Sequence, residues 1–331
     1  MPSGGAVEVL LATFNGEIYL QEQIDSILAQ DYQNLRLLVR DDGSCDGTTE
    51  IHRQYGSAFP ERVFIVPTGR PTGSPKRNFL RLMNASTANY VCFSDQDDVW
   101  LPDKVTVTME AMQALESQWG ESAPALVFTD LRVVDPELRL IHESFWQFMK
   151  IKPKNIDHPN KLMLKPIVTG CTAMLNRPLL EIARRMPEEA FMHDFWIGLL
   201  ASTMGKSRAV GRQTVLYRQH GKNLIGTGQK WTSEPGTTAT SSIWKRIHSY
   251  RQGATALQWK QSQEQAAALL DAHGPELSSK ARDIVESFRR CETDNRRLVR
   301  LFTLARYGFY DSEILSNLAR VAIVSQNPAK Q

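Results

Sequence analysis

The chain has 331 residues, of which 42% are hydrophobic and 23% are charged, and its formal net charge is +3. This length corresponds to one large domain or two modest ones, and the composition is ordinary for a globular protein. The weak net charge is no sign of a nucleic-acid partner, and no apolar run approaches the roughly 20 residues of a membrane-spanning helix.

The first residues and the cysteines indicate a compartment. The segment MPSGGAVEVLLATFNGE lacks the positive start of a signal peptide and soon turns polar. The cysteines Cys45, Cys92, Cys171 and Cys291 are scattered, without CxxC spacing or companion histidines. We therefore expect neither a zinc site nor disulfides, and we expect a reducing, cytoplasmic location.

Strands alternate with helices in the first hundred residues. The predicted strands are VEVLLAT (7–13), LRLLV (35–39), VFIV (63–66) and YVCF (90–93). Apolar residues at helical spacing, beginning with Ile18, predict helices over 18–30, 50–56 and 76–86. Near-continuous apolar strands between helices predict an α/β fold whose mainly parallel sheet is covered on both faces.

The rest of the chain divides into further sheet structure and a helical end. Residues 126–134 and 170–175 read as strands, 193–202 as a helix, and 215–223 as a strand that runs into a polar loop. Asp194 lies in the first turn of that helix, where a carboxylate suits the helix dipole. We predict an α/β domain over 1–226, a Gly-, Ser- and Thr-rich linker or mobile loop over 227–242, and a helical region over 243–331.

Carboxylates follow the fourth strand in the segment SDQDD. Asp95 and Asp97 lie two residues apart at the strand end, where ligands bind in open α/β sheets. Divalent cations such as Mg²⁺ are commonly held by one or two carboxylates together with substrate phosphates, so this pair suits a metal–diphosphate site. A solvated turn before a helix near Pro102 also explains so short a motif. Asp98 is expected to face elsewhere or to bend back.

A second acidic segment, DDGSCDGT, follows the second strand. Asp41 and Asp42 end the strand, and Gly43 and Gly47 permit a tight turn. Carboxylates at this place can accept hydrogen bonds from a ribose hydroxyl or a base N–H, although an Asp-rich turn is the alternative. Nothing in the chain matches a P-loop or GxGxxG.

Six segments carry a resemblance to a known family. They occur in the order LLATFNGEIYLQEQIDSILAQDY, VRDDGSCDGT, FSDQDDVWLPDKV, TGCTAMLNR, HDFWIGLLAS and LYRQHGKN. Together they resemble the family 2 glycosyltransferases of the Rossmann-like GT-A fold, within the rhamnosyltransferase-like bacterial group. The resemblance covers residues 6–226, and it is specific for the family but much less so for the sugar.

The resemblance implies roles for individual residues. It places nucleotide binding at Thr13, Asn15, Glu17, Asp41, Asp42, Arg77, Asn78, Asp95, Arg218 and Gln219. It places Mg²⁺ or Mn²⁺ on Asp95 and Asp97, and it makes Asp194 the catalytic base. His220 is a further candidate ligand, with a purely structural histidine as the alternative. The polar loop that closes over the diphosphate also includes Asn223. Many members have Glu immediately before the base, whereas this chain has His193.

The implied reaction is an inverting sugar transfer from a nucleotide sugar. A base takes the acceptor's proton, a cation neutralises the leaving diphosphate, and no second carboxylate is needed as a nucleophile. The resemblance suggests dTDP-L-rhamnose as the donor, with a UDP-hexose as the alternative. The acceptor is expected to be a glycan or a lipid-linked glycan in bacterial surface polysaccharide synthesis. Phe195 is expected in the core, and Trp196 either in the core or as an acceptor platform.

Basic residues concentrate in the C-terminal part. They include the cluster Arg289, Arg290, Arg296, Arg297 and Arg300, next to apolar helical stripes. This pattern fits peripheral contact with the anionic inner face of a membrane, a homodimer through the helices, or simply a solvated helix face.

Two functions from other classes remain open on the sequence alone. A metal-dependent phosphohydrolase would use the same acidic pair, but it would need a nucleophilic Asp or a second metal cluster. A non-catalytic nucleotide-sugar-binding protein would not need Asp194.

Overall fold

The computed structural model describes residues 5–220, 257–310 and 314–325. The strands are β1 Val7–Thr13, β2 Leu35–Asp41, β3 Val63–Ile65, β4 Tyr90–Ser94, β5 Val99–Trp100, β6 Ala125–Val134, β7 Leu140–His142, β8 Ala173–Asn176 and β9 Lys206–Arg218. The helices of the α/β part are α1 Leu20–Leu28, α2 Thr48–Ala58, α3 Pro75–Ala85, α4 Lys104–Trp119, α5 Phe145–Phe148, α6 Pro159–Leu162, α7 Arg177–Ala183 and α8 His193–Met204. The C-terminal helices are α9 (257–273), α10 Ser279–Thr293, α11 Arg297–Arg306 and α12 Ile314–Ser325.

The strands form one sheet in the order β3-β2-β1-β4-β8-β6-β9-β5, with β7 added at β6. The neighbours β3-β2-β1-β4 are parallel, as the alternation of strands and helices predicts, and β6 is parallel to β9. The pairs β4-β8, β8-β6, β9-β5 and β6-β7 are antiparallel, so the predicted α/β class is confirmed and the sheet is mixed. Because β8 runs antiparallel between β4 and β6, those two strands point the same way and end at the same edge.

Helices cover both faces of the sheet and create two apolar cores. Helices α1, α2 and α4 pack on one face, against odd-numbered residues of β1 such as Val9 and Leu11. Helices α3, α7, α8 and the C-terminal helices pack on the other face, against Leu10, Val91 and Phe128. Alternate residues of each central strand therefore enter different cores, which explains why the sequence of these strands is almost continuously apolar.

The first helix begins later than the apolar spacing predicts. The carbonyl oxygen of Gly16 accepts hydrogen bonds from the backbone N–H groups of Tyr19 and Leu20, so residues 16–19 form a turn and α1 begins at Leu20. Ile18, predicted to lie on the apolar side of this helix, is 68% exposed. The prediction for Ile18 is wrong because the strand-end loop needs this turn to reverse direction.

The C-terminal part is helical wherever the structure describes it. The predicted linker 227–242 and the beginning of the predicted helical region lie outside the described residues, as does Asn223. Within the described residues, no helix combines the length and apolar character needed to cross a membrane. Arg300, predicted as part of a basic surface cluster, is 2% exposed, and its guanidinium donates to the carbonyl oxygens of Val324 and Asp294. It therefore ties α11 to its neighbours and does not contribute to a basic surface.

Candidate active site

The loops after β1 and β2 hold each other in place at the carboxyl edge of the sheet. The Thr13 hydroxyl donates to the Asp41 carboxylate at 3.2 Å. The side-chain oxygens of Asn15 and Glu17 accept the backbone N–H groups of Cys45 and Gly47, at 2.9 and 2.6 Å. Three predicted nucleotide-binding side chains, at Thr13, Asn15 and Glu17, thus have a direct structural role in shaping these two loops.

Asp41 and Asp42 are both buried and strongly hydrogen bonded. Asp41 accepts the backbone N–H groups of Gly43 and Ser44 at 2.9 and 2.8 Å, which forms the predicted tight turn. Asp42 forms an ion pair with Arg40 at 3.0 Å and accepts three hydrogen bonds from Thr72 and Gly73. Burial opposes ionisation, but the hydrogen bonds from Thr72, Arg40 and Gly73 hold the pKa of Asp42 below its usual range.

The start of α3 extends this network. Asn78 is buried, accepts a hydrogen bond from Arg40 at 2.7 Å and donates to the Arg40 carbonyl oxygen at 3.2 Å. Arg77 instead points outward and pairs with Glu188 at 2.5 Å, in the segment that precedes α8. The resemblance gives these two neighbours the same role in nucleotide binding, but their contacts differ. Asn78 supports the edge of the sheet, and Arg77 links α3 to the segment that precedes α8.

Four carboxylates meet beyond the end of β4, and we call Asp95, Asp97, Asp98 and Asp194 the acidic cluster. Asp98 is fully buried, and one of its oxygens accepts the backbone N–H of Arg218 at 3.2 Å. Ligand atoms of Asp95, Asp98 and Cys171 lie within 4.8 Å of one another. Of the two alternatives for Asp98, that it faces elsewhere is wrong, because Asp98 begins the approach to β5 and is enclosed by β9 and the turn that carries Cys171.

Burial and mutual repulsion make the acidic cluster electrostatically unfavourable without a counter-charge. Burial, followed by the charges of Asp97 and Asp194, raises the pKa of Asp95 to about 7. Burial, followed by the charges of Asp97 and Asp95, raises the pKa of Asp98 well above its usual range. Within the described residues, the second carboxylate oxygen of Asp98 has no hydrogen-bond partner. A divalent cation fits such a donor set, because it would compensate the repulsion that the pKa of Asp95 reports.

Asp194 reaches the cluster from α8, on the other side of the β8 turn. Its two oxygens accept the backbone N–H groups of Phe195 and Gly170, at 2.7 and 3.3 Å. The preceding residue, His193, is buried between the rings of Phe79 and Phe93, with ring centroids 4.1 and 5.2 Å away. Burial lowers the pKa of His193, so its ring is neutral and packs as an apolar group that fixes the first turn of α8.

The two aromatic residues after Asp194 belong to the core. Phe195 is buried, as predicted, and Trp196 is completely buried within the core that α8 shares with the C-terminal helices. Its ring centroid lies 5.9 Å from that of His273. Trp196 therefore cannot serve as a platform for an acceptor, and that alternative is wrong.

The end of β9 and the residues after it form hydrogen bonds with the acidic cluster. Arg218 is almost fully buried, donates from Nε to the carbonyl oxygen of Asp97 at 2.8 Å, pairs with Glu22 and lies over the ring of Tyr19. The Nε2 atom of His220 lies 2.7 Å from a carboxylate oxygen of Asp97, which brings together two of the predicted metal ligands. The Gln219 backbone N–H donates to Val134, so its main chain continues the sheet.

The comparisons with known proteins decide the family. The family model for glycosyl transferase family 2 matches residues 8–181, which include the loops after β1 and β2 and the acidic pair. The chain belongs to glycosyltransferase family 2. Among curated relatives, dTDP-rhamnosyl transferase RfbG of Shigella flexneri is 26% identical over 227 residues, covering 65% of this chain and 73% of the relative. TuaG of Bacillus subtilis, whose name proposes a role in teichuronic acid biosynthesis, is 27% identical, covering 73% of this chain and 89% of the relative.

Solved structures support the fold of this glycosyltransferase. Staphylococcus aureus TarS, residues 1–349 in complex with UDP-GlcNAc, aligns with a TM-score of 0.52 and 14% identity, covering 97% of this chain and 90% of that chain. Its complex with UDP aligns with a TM-score of 0.51. At this identity the likeness shows the GT-A fold, which agrees with the sheet and helices described above.

The structure places a buried lysine beneath the candidate active site of this glycosyltransferase, and no sequence pattern indicated it. Lys104 opens α4, is fully buried, and places its ammonium 4.4 Å from the ring centroid of Trp100. Burial lowers its pKa, while Cys92, Cys171 and Asp98 act in the opposite direction. Its position in LPDKV, at the start of a helix, is typical of a surface lysine, so only the folding of β5 and α4 over the acidic cluster reveals that it is buried.

Proposed function

We propose that this glycosyltransferase performs an inverting transfer, with Asp194 as the general base and the acidic pair Asp95 and Asp97 at the leaving diphosphate. The observation that carries the proposal is the meeting of carboxylates from two distant elements, since the charge of Asp194 contributes to the raised pKa of Asp95. An acceptor hydroxyl is a weak nucleophile until a base removes its proton during attack. With one base on α8 and the leaving-group site at the end of β4, a single displacement requires no further carboxylate as nucleophile.

The backbone contacts of Asp194 suit it to this role. Both of its oxygens are oriented by backbone N–H groups, from Phe195 and from Gly170, so the carboxylate is fixed before substrate binds. Gly170 must stay small, because a Cβ there would lie 2.8 Å from Nε2 of His193. His193, Gly170 and Asp194 thus form one packed unit that positions the base.

We propose Mg²⁺ or Mn²⁺ as the cation, held by Asp95 and Asp97 with His220 as a third ligand. The short distance between His220 and Asp97 supports this set, and the repulsion within the acidic cluster explains why these side chains would favour a cation. A bound divalent cation supplies charge neutralisation for a leaving diphosphate. Few protein ligands are offered, so binding should strengthen when a nucleoside diphosphate contributes its oxygens.

The affinity for a cation is expected to fall as the pH falls below 7. The pKa of Asp95 is raised to about 7, so its carboxyl is increasingly protonated below that pH and a cation must displace the proton. The dissociation constant for Mn²⁺ should rise by up to about tenfold per pH unit below 7 and level off above it. Calorimetric titration with Mn²⁺ and a nucleoside diphosphate from about pH 5.5 to 7.5 measures this, with a protein-free titration as control. A constant affinity over that interval would contradict the assignment of Asp95.

The nucleotide is proposed to lie over the loops after β1 and β2. The residues carried over from the family for this role are Thr13, Asn15, Glu17, Asp41, Asp42, Arg77, Asn78, Asp95, Arg218 and Gln219. Their existing hydrogen bonds indicate that many act by shaping the binding surface. Arg77 is about half exposed and is the most available cation among them.

We propose dTDP-L-rhamnose as the donor and a glycan or lipid-linked glycan of bacterial surface polysaccharide as the acceptor. RfbG, named as a dTDP-rhamnosyl transferase, supports the donor at 26% identity. Thermal stabilisation by dTDP-L-rhamnose and by UDP-glucose, each with Mn²⁺, tests it, followed by the rate of donor hydrolysis. If only UDP-glucose stabilises the protein and is hydrolysed, the donor is a UDP-hexose and not dTDP-L-rhamnose.

The exposed side of α11 is proposed to contact an anionic membrane surface. Leu298 and Phe302 are 80% and 62% exposed, lie one turn apart, and are flanked by exposed Arg297 and Arg306. Apolar side chains between arginines suit insertion at a lipid headgroup boundary, where each Arg contributes about 1 kcal/mol. The alternative is contact between the α11 helices of two copies.

Binding to anionic vesicles is therefore expected to weaken at high salt and in the variant Phe302→Glu. Co-sedimentation at low and high ionic strength measures it. Leu140→Glu is the matched control, because Leu140 is 51% exposed on β7, outside α11. If co-sedimentation does not depend on salt and Phe302→Glu changes the oligomeric state, the dimer through α11 is the better explanation.

A further inference from the structure

A cavity lined by both polar and apolar side chains lies at the end of β6, which is separated from β4 by β8 in the sheet. We call it the Trp146 cavity; it encloses about 670 Å³ between β6, β9 and the segment that follows β7. Its floor is Asp130, Ser144 and Gln213, one wall is Trp146, and its rim carries Lys150 and Lys152. This volume lies within the range of sites for small molecules.

Strand register places the cavity next to the candidate active site. Phe128 of β6 pairs with Ala173 of β8, so Asp130 lies two residues further toward the edge and level with Cys171. The sulfur of Cys171 lies within 4.8 Å of carboxylate oxygens of Asp95 and Asp98. Helix α8, which carries Asp194, packs against β6, against β9 and against the turn Pro153–Asp157 that continues the cavity wall.

The floor is preorganised by a fully hydrogen-bonded carboxylate. Asp130 is 3% exposed and accepts hydrogen bonds from the Ser144 hydroxyl, the Gln213 amide and the backbone N–H groups of Trp146 and Leu131, at 2.5, 3.2, 3.1 and 2.9 Å. These contacts use the acceptor capacity of the carboxylate. Asp130 therefore shapes the cavity by fixing α5 onto the sheet, and its oxygens are already occupied by donors of the protein.

The groups that remain available to a ligand are an aromatic ring and two ammonium groups. Trp146 packs edge-on against Phe128, with ring centroids 5.7 Å apart. The backbone of Lys150 is left-handed, with φ +52°. The ammonium of Lys165 donates a hydrogen bond to the carbonyl oxygen of Met149, the residue before Lys150, at 2.9 Å. Within the described residues, Lys150 and Lys152 form no ion pair with a carboxylate. Two cations without counter-ions beside an aromatic wall favour a ligand that has both an apolar ring face and a negative charge.

We propose that the Trp146 cavity binds an anionic saccharide, as the part of the acceptor that flanks the attacking hydroxyl. The ring of a sugar would pack on Trp146, and a phosphate or carboxylate on that saccharide would pair with Lys150 and Lys152. The inference rests on the proposed function, because a transferase needs an acceptor beside the base on α8. It identifies the chemical class of the acceptor, which the family resemblance leaves open.

Direct binding tests this proposal without knowledge of the natural acceptor. The protein is first saturated with dTDP and Mn²⁺, so that the donor site is filled, and is then titrated calorimetrically with glucose 1-phosphate, glucuronic acid, methyl glucoside and inorganic phosphate. Both anionic sugars are expected to bind more tightly than methyl glucoside. The variant Lys150→Ala/Lys152→Ala should weaken both by about tenfold or more, since a charge-assisted contact contributes about 1.5–3 kcal/mol. Trp146→Phe, which keeps an aromatic wall, should weaken them less than Trp146→Ala.

Lys154→Ala is the matched control, because Lys154 is exposed, lies two residues from Lys152 and does not line the cavity. Equal affinity of the double variant and this control would overturn the proposal, as would a wild-type protein that binds none of the probes. Inorganic phosphate binding as tightly as glucose 1-phosphate would overturn the saccharide assignment. Donor hydrolysis should be the same in Lys154→Ala as in the wild type. Its absence from the wild type, with probe binding intact, would contradict the transferase function instead.

Discussion

Asp194→Asn is expected to lower the transfer rate by about 10²–10⁴-fold, the usual effect of removing a general base, while donor affinity stays nearly unchanged. Asn cannot take the proton of the acceptor hydroxyl. It also has only one acceptor oxygen for the two N–H groups, of Phe195 and Gly170, that Asp194 binds, so a stability loss of about 1 kcal/mol is expected. Steady-state transfer rates, nucleotide affinity and thermal unfolding of the same preparations separate these effects.

The control for this variant is Asp271→Asn, which makes the same chemical change at an exposed helical position. Its activity should equal that of the wild type. If Asp194→Asn retains more than about a tenth of wild-type turnover, the loss is smaller than base removal produces, and another carboxylate must take the proton.

Asp97→Asn is expected to reduce cation affinity and turnover together. The carboxylate of Asp97 contacts His220 at 2.7 Å and repels Asp95, so it belongs to the same donor set. Charge neutralisation by a cation contributes several kcal/mol to such reactions, which corresponds to a rate loss of about 10²-fold or more. High Mn²⁺ concentrations should restore part of the turnover, and the same treatment should not rescue Asp194→Asn. Titration with Mn²⁺ in the presence of dTDP, combined with transfer rates across Mn²⁺ concentrations, measures both quantities.

Asp98→Asn is the informative comparison for Asp97→Asn. Burial and its neighbours raise the pKa of Asp98 well above its usual range, which favours the protonated acid, and Asn has nearly the same shape. The Asp98 variant should therefore be much milder. The reverse order of effects would place the cation between Asp95, Asp98 and Cys171, whose ligand atoms lie within 4.8 Å of one another.

Local periodicity accounts for the parts of the fold that could be predicted. The continuous apolar runs of β1, β2 and β4 and the helical spacing of apolar residues in α3 are local patterns that a short segment carries by itself. The parallel arrangement of the first four strands follows from the intervening helices. The antiparallel strands at β8 and beyond could not be predicted in this way, because long connections separate β6, β8 and β9 in the chain and leave the choice of partners to long-range packing.

Carboxylates at the carboxyl end of β4 and at the start of α8, and the order of the six family segments, can be read directly from the sequence. Which of those groups meet depends on how distant parts of the chain pack together. The placement of β8 between β4 and β6 brings Asp194 toward Asp95, and the closure of β9 buries Asp98 and Arg218 and carries His220 to Asp97. Burial also moved Trp196 and Arg300 away from the surface roles that their residue types suggest. The physical reason is that exposure and charge–charge distance depend on contacts between residues far apart in the chain, whereas a motif records only neighbours.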